Sequence, residues 1–234
     1  MCVKTNLSVK NRILLALNVL LLLYTCVMMV FYEREGGLML KGLAGAGFLG
    51  AGLVNLTDCL IGRKEKRLFS LLMVLGLGVC LWGDILLNIR FSSGVAVFAL
   101  GHILYSAAYS ALLRPKILDI VPGICLFALI LLIASQLRGL FISPPEMKRI
   151  CIAYAGIICI MAGKAIANFC RNPNRVTFCL MLGSLLFLFS DAMLGMRKFC
   201  YWPKVPSYMS RYAYFPGQFL LGHALFWLDH KKEK

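Results

Sequence analysis

Charge is what this sequence has least of. Only 15% of its 234 residues are charged, and Asp and Glu supply just 10 of them against 25 Lys and Arg. Soluble domains carry about 25% charge, so a soluble fold is excluded. No Cys-x-x-Cys pair occurs, and most of the 10 cysteines, Cys26, Cys80, Cys125, Cys159 and Cys179 among them, stand mid-run in apolar sequence. They read as small apolar filler with free thiols, not as a disulfide framework. Histidine is scarce as well, at 3, and His102 and His223 lack ligand spacing with any carboxylate or thiol. No metal and no other cofactor is expected. The first apolar run lacks a small-x-small cleavage site, so it reads as a retained helix and not a removed signal.

What is present is apolar residue, 60% of the chain. A stretch of about 20 such residues spans a bilayer. Eight are read here, over 13–31, 38–57, 68–89, 94–112, 117–136, 148–169, 176–196 and 209–228. The expected fold is therefore all-α: a single integral membrane domain over 1–234 with eight transmembrane helices. The net charge of +15 reads in this setting as loop bias and attraction to anionic lipid. Membrane lipid is the expected surrounding partner, and nucleic acid is not. The basic residues Lys4, Lys10 and Arg12, the hinge Arg63-Lys64-Glu65-Lys66-Arg67 and the tail lysines put both termini on the cytoplasmic side. That membrane is the cell membrane in a bacterium or one of endoplasmic-reticulum type in a eukaryote.

Two acids break the pattern. Asp84 closes the run from Leu68, and Asp191 closes the run from Val176. An ionised carboxylate in hydrocarbon costs at least ~2.5–3.5 kcal/mol, so each needs a polar interior. Other polar groups share the spans. Asn88 lies one turn beyond Asp84 on the same face. His102, Tyr105 and Tyr109 form one stripe on the fourth helix. Tyr154 and Lys164 stand on the sixth, which Ser143-Pro144-Pro145-Glu146 opens with capping-box spacing. Arg211, Tyr214 and Gln218 share a face of the eighth, with His223 off it. Lys41 opens the glycine-rich second helix, where snorkelling to the interface competes with a role in a site. Asn18 is the one strongly polar group inside the first helix.

The third and fourth helices echo the seventh and eighth: an Asp, a basic-aromatic turn, then Leu100-Gly101-His102-Ile103-Leu104-Tyr105 against Leu221-Gly222-His223-Ala224-Leu225-Phe226. Two four-helix repeats, 13–112 and 117–228, are expected. An even number of crossings per repeat makes them parallel, with Asp84 and Asp191 at equal depth and facing across the axis. Two carboxylates sharing one water-poor chamber share a proton, and offer an acid and a base together.

Gly83-Asp84, Ala99-Leu100-Gly101-His102-Ile103-Leu104-Tyr105, Ser190-Asp191 and Tyr214-Phe215-Pro216-Gly217-Gln218, with Lys41, Tyr154 and Lys164, resemble the YhhN-like family of membrane lysoplasmalogenases over most of the chain. The family usually shows Tyr-Tyr-Ala-Ala-Gln where this sequence has Tyr214 to Gln218. The resemblance implies eight transmembrane helices and hydrolysis of the vinyl ether bond of lysoplasmalogens. A lysophospholipid is then the substrate; a fatty aldehyde and glycerophosphoethanolamine or glycerophosphocholine are the products. It further implies Asp84 and Asp191 as the acid–base pair. His102, Tyr105, Asn88, Tyr154, Tyr214 and Gln218 would orient substrate and water, and Lys41, Lys164 or Arg211 would receive the phosphate. The alternative is a proton-coupled secondary transporter using the same aspartates. An intramembrane aspartyl protease is disfavoured, because its Tyr-Asp and Gly-x-Gly-Asp signatures are missing.

Overall fold

The computed structural model describes residues 9–62, 66–136, 144–199 and 206–230. Residues 63–65 of the basic hinge, Ser143 of the expected capping box and the tail lysines lie outside the described residues. Among the described residues the regular elements are all helical: α1 (Val9–Glu35), α2 (Leu38–Gly62), α3 (Arg67–Ile89), α4 (Phe91–Leu112), α5 (Val121–Gln136), α6 (Pro145–Arg171), α7 (Arg175–Phe199) and α8 (Ser207–His223). Short 3₁₀ segments, Ile117–Ile120 and Phe226–His230, precede α5 and follow α8.

The helix ends follow local chemistry. Gly36 and Gly37 take positive φ, 71° and 89°, conformations that side chains resist, and turn α1 into α2. Arg90 is extended and alone separates α3 from α4. The capping-box spacing puts the start of α6 at Pro144, but the helix begins at Pro145, with Pro144 before it and no side-chain cap. A reciprocal cap appears instead on α7, where the Thr177 amide donates to Asn174 Oδ1 and the Asn174 amide to Thr177 Oγ1, both at 3.1 Å.

Seven of these helical stretches are long and apolar enough to cross a membrane, which fits an integral multi-pass membrane protein. The eighth expected span is shorter than the sequence suggests. Helix α8 has 17 residues, below the ~20 that a bilayer core requires. Its opening turns hold Ser207, Ser210 and Arg211, and beyond His223 the chain tightens into the 3₁₀ segment.

Six helices close a ring, in which α2 packs on α3, α3 on α4, α4 on α6, α6 on α7, α7 on α8 and α8 back on α2. Helix α1 lies outside against α2 and α8, and α5 lies outside against α6. Small residues set the spacing. A Cβ at Gly76 would stand 2.5 Å from the Tyr105 ring, and one at Gly83 3.1 Å from Phe98, so α3 and α4 meet with aromatic rings laid on bare backbone. The core that fills the ring includes Phe48, Phe69, Met73, Leu77, Phe98, Phe187 and Phe215.

Candidate functional site

Each ring helix turns a polar side chain inward near the level of Asp84 and Asp191: Lys41 from α2, Asp84 from α3, His102 and Tyr105 from α4, Tyr154 from α6, Asp191 from α7, and Tyr214 and Gln218 from α8. A polar group in a membrane interior requires a partner, and the partners divide these residues into linked groups.

Asp84 is 3% exposed and Lys41 7%. Lys41 Nζ lies 2.9 Å from Asp84 Oδ1 and donates to the Asp84 backbone carbonyl at 3.1 Å. Lys41 is thus an internal counter-ion, not a snorkelling interfacial residue. Asn88 Nδ2 donates to the same carbonyl at 3.3 Å. Asp84 Oδ2 is buried without a hydrogen-bond partner, as is the Tyr214 hydroxyl, which lies within electrostatic reach of that carboxylate. Both residues line a cavity of about 150 Å³ with Lys41, Asn88, Phe98 and Ser190. Unpaired polar atoms beside a space of that size make a site for water or for a polar ligand.

Asp191 belongs to a second group. Tyr154 donates its hydroxyl to Asp191 Oδ2. His102 Nε2 is 2.8 Å from that hydroxyl and 3.8 Å from Asp191 Oδ2. His102 is fully buried, and its Nδ1 has no partner. The aspartates therefore do not share one open chamber. Asp84 lines the cavity, while Asp191 does not and is represented there by its neighbour Ser190. The Phe98 and Phe187 rings stand between the groups. Phe187 lies 4.6 Å from His102 and 5.2 Å from Tyr214, ring centre to ring centre, and Phe98 packs against all three. The carboxylates remain within electrostatic reach of each other across this wall.

Tyr105 and Gln218 form a third contact, the hydroxyl donating to Oε1 at 2.7 Å. The stripe read on α4 thus lies inward throughout, with Tyr109 on Ser184 at 2.8 Å. Arg211 joins the cavity rim and pairs with Glu33.

Lys164 is not brought to this site. It ends beside the carboxy-terminal end of α4, bonding the Leu113 carbonyl at 3.1 Å and Asp119 Oδ2 at 2.6 Å. Arg171 reaches the same oxygen at 2.7 Å. Asp119 is already oriented by the Lys116 amide, so the cluster fastens the α4–α5 connection to α6. His223 likewise serves packing: its Nδ1 is 3.0 Å from Asn18 Oδ1, and Asn18 and Asn55 exchange side-chain bonds at 2.9 Å.

The model of the YhhN family matches residues 46–225, well over half of the chain. The chain belongs to the YhhN family. No curated protein and no solved structure matches it. The matched stretch of this YhhN-family protein contains Asp84, His102, Tyr154, Asp191, Tyr214 and Gln218. It begins after the cavity residues Tyr32 and Lys41 and after Glu33, the partner of Arg211. The rim residues Arg197, Ser207 and Ser210 were not singled out from the sequence. Each is an ordinary residue at a helix end, and only the meeting of α7 with α8 groups them. Among the described residues no cluster of three or more His, Cys, Asp or Glu has the arrangement of a metal site.

Proposed function

We propose that this YhhN-family protein is a lysoplasmalogenase, hydrolysing the vinyl ether bond of a lysophospholipid with Asp84 and Asp191 as its acid–base residues. The observation that carries the reading is the state of the Asp84 carboxylate. One oxygen is paired with Lys41 and the other is buried without a partner near Tyr214, in a residue that lines a polar cavity. Such a group is costly to bury, and the pairing with Lys41 accounts for one of its oxygens only, so the unpaired oxygen is the one left for chemistry. The family supports the same reading, as one of lysoplasmalogenase type.

The reaction consumes one water. A proton goes to the alkenyl carbon remote from the ether oxygen, leaving an alkoxycarbenium ion. Water adds to the carbon that bears the oxygen and gives up a proton to a carboxylate. The hemiacetal hydroxyl then gives up its proton as the bond to the glycerol oxygen breaks, that oxygen takes a proton in its place, and a fatty aldehyde and a glycerophospho-alcohol leave. The transition state carries the kind of cation found in glycoside hydrolysis. Asp84 works at the reacting atoms, with the Tyr214 hydroxyl beside it and the Phe98 ring as an aromatic wall suited to a cation. Asp191, Tyr154 and His102 form the hydrogen-bonded string that stores and returns the proton. Leu87 and Leu194, on the cavity wall, give the alkyl chain an apolar way out. The two-repeat arrangement belongs to this proposal: the equivalent joints α2–α8 and α4–α6, with α1 and α5 outside, support a pseudo-two-fold axis relating Asp84 to Asp191.

Purified protein in detergent, given an alkenyl lysophospholipid, is expected to release aldehyde, and a saturated ether analogue is not cleaved. Absence of aldehyde together with proton-driven uptake into vesicles would favour transport, which needs two compartments.

A further inference from the structure

The cavity beside Asp84 measures about 150 Å³, room for a few waters, whereas sites for larger organic ligands run from ~300 Å³ upward. A long-chain lipid therefore requires a wall to move. Most walls are fixed. Lys41 and Asp84 lock α2 to α3. A Cβ at Gly94 would stand 2.5 Å from the Leu87 Cα, and one at Gly183 2.8 Å from the Gly217 carbonyl oxygen, so α3 with α4 and α7 with α8 meet backbone to backbone. Of the cavity's lining residues, Tyr32 alone belongs to a helix outside the closed ring, α1.

Helix α1 is tied down unevenly. Asn18 exchanges side-chain bonds with Asn55, and Thr25 lies against Gly47, where a Cβ would stand 2.1 Å from the Thr25 hydroxyl. Beyond Thr25, the polar side-chain contacts of α1 with the ring, among the described residues, run through Tyr32 and Glu33 to α8. Glu33 pairs with Arg211 through one oxygen and accepts a hydrogen bond from Ser207 Oγ at 3.0 Å through the other. The Arg211 guanidinium lies over the Tyr32 ring, 4.5 Å from its centre. Both members of the ion pair are part-exposed, so it breaks at far lower cost than the buried Lys41–Asp84 pair. Gly36 and Gly37 follow directly, at positive φ and with open space around them.

We propose that the Glu33–Arg211 pair is a latch on this cavity. Closed, it holds Tyr32 and the end of α1 against α8. Released, it lets that end move aside above the Asn18 and Thr25 contacts, and the cavity opens to a long-chain amphiphile. The identity of the entering molecule rests on the lysophospholipid reading above; the moving part rests on the geometry of α1 and α8. Salt screens a part-exposed pair, so the latch loosens as ionic strength rises.

The test is thiol accessibility in the full chain in detergent, so it does not depend on turnover. The reporter is Ser190→Cys, at a position that is 2% exposed and lines the cavity. Its reaction with N-ethylmaleimide is read by peptide mass at position 190, apart from the native cysteines. Cys80, fully buried against Gly101, reports loss of the fold if it reacts. Adding Glu33→Gln should speed labelling at 190 about fivefold, the upper end for a part-exposed ion pair, with Cys80 still protected. Exchanging the charges, Glu33→Arg with Arg211→Glu, should bring the rate back to within about twofold of the parent, since the pair is remade. An unchanged rate in Glu33→Gln, or a rate that stays raised in the exchanged pair, overturns the latch. Should Glu33→Gln expose Cys80, the Ser190→Cys parent decides: labelling that rises with salt supports the latch, and labelling indifferent to salt overturns it. Aldehyde release by a protein whose labelling ignores Glu33 overturns the latch and leaves hydrolysis standing. A responding latch without aldehyde release counts against hydrolysis only.

Discussion

Lys41 and Asp84 hold each other by two contacts, side chain to side chain at 2.9 Å and Lys41 Nζ to the Asp84 carbonyl at 3.1 Å, across 43 residues of sequence. Both are buried. The pair ties the start of α2 to the end of α3 and leaves a single carboxylate oxygen without a partner. Removing one member of a buried pair strands the other, at about 3–5 kcal/mol. Lys41→Met is therefore expected to lower the melting temperature markedly in detergent, and Lys41→Met with Asp84→Asn to recover much of the loss. A Lys41→Met protein that melts like wild type would show that the pair does not hold the bundle.

Tyr154 touches both Asp191 and His102 through one hydroxyl. Tyr154→Phe keeps the ring packing, 5.4 Å between centres against His102, and deletes the shared bond. Turnover of the alkenyl substrate should fall by about 10²-fold or more, the low end of general acid–base assistance. KM and melting temperature should stay near wild type. Undiminished kcat would remove the string from the reaction.

Lys164 separates an anchoring role from a site role. Lys164→Met leaves Asp119 with Arg171 and the Lys116 amide, and should cost about 1–3 kcal/mol of stability with turnover per folded molecule unchanged. A selective loss of turnover with stability intact would put Lys164 back in the substrate's path.

Much of this site was legible because membrane burial makes polar residues informative. Asp84, Asp191, His102 and Tyr214 stand out in apolar runs, and helical spacing puts Arg211, Tyr214 and Gln218 on one face. Spacing within a helix does not reveal which partner a side chain meets on another. Hence Lys164, whose run resembles that of a site residue, is bound by Asp119 from a neighbouring connection, and His223 is absorbed by Asn18 and Asn55. The facing of the two aspartates follows, in the sequence, from parallel repeats about a common axis. Such symmetry does not report the Phe98 and Phe187 rings packed between His102 and Tyr214. The eighth span, 209–228, is not one continuous α-helix for a similar reason: residues beyond His223 remain apolar, while the backbone tightens into a 3₁₀ turn.

The central claim is that the two aspartates carry the chemistry, and aldehyde release by the Asp84→Asn and Asp191→Asn proteins tests it most directly. Each variant, folded as judged by its melting curve and still binding a saturated lysolipid analogue, is expected to lose aldehyde release from the alkenyl substrate by at least about 10²-fold. Release at the wild-type rate by either folded variant would contradict the account.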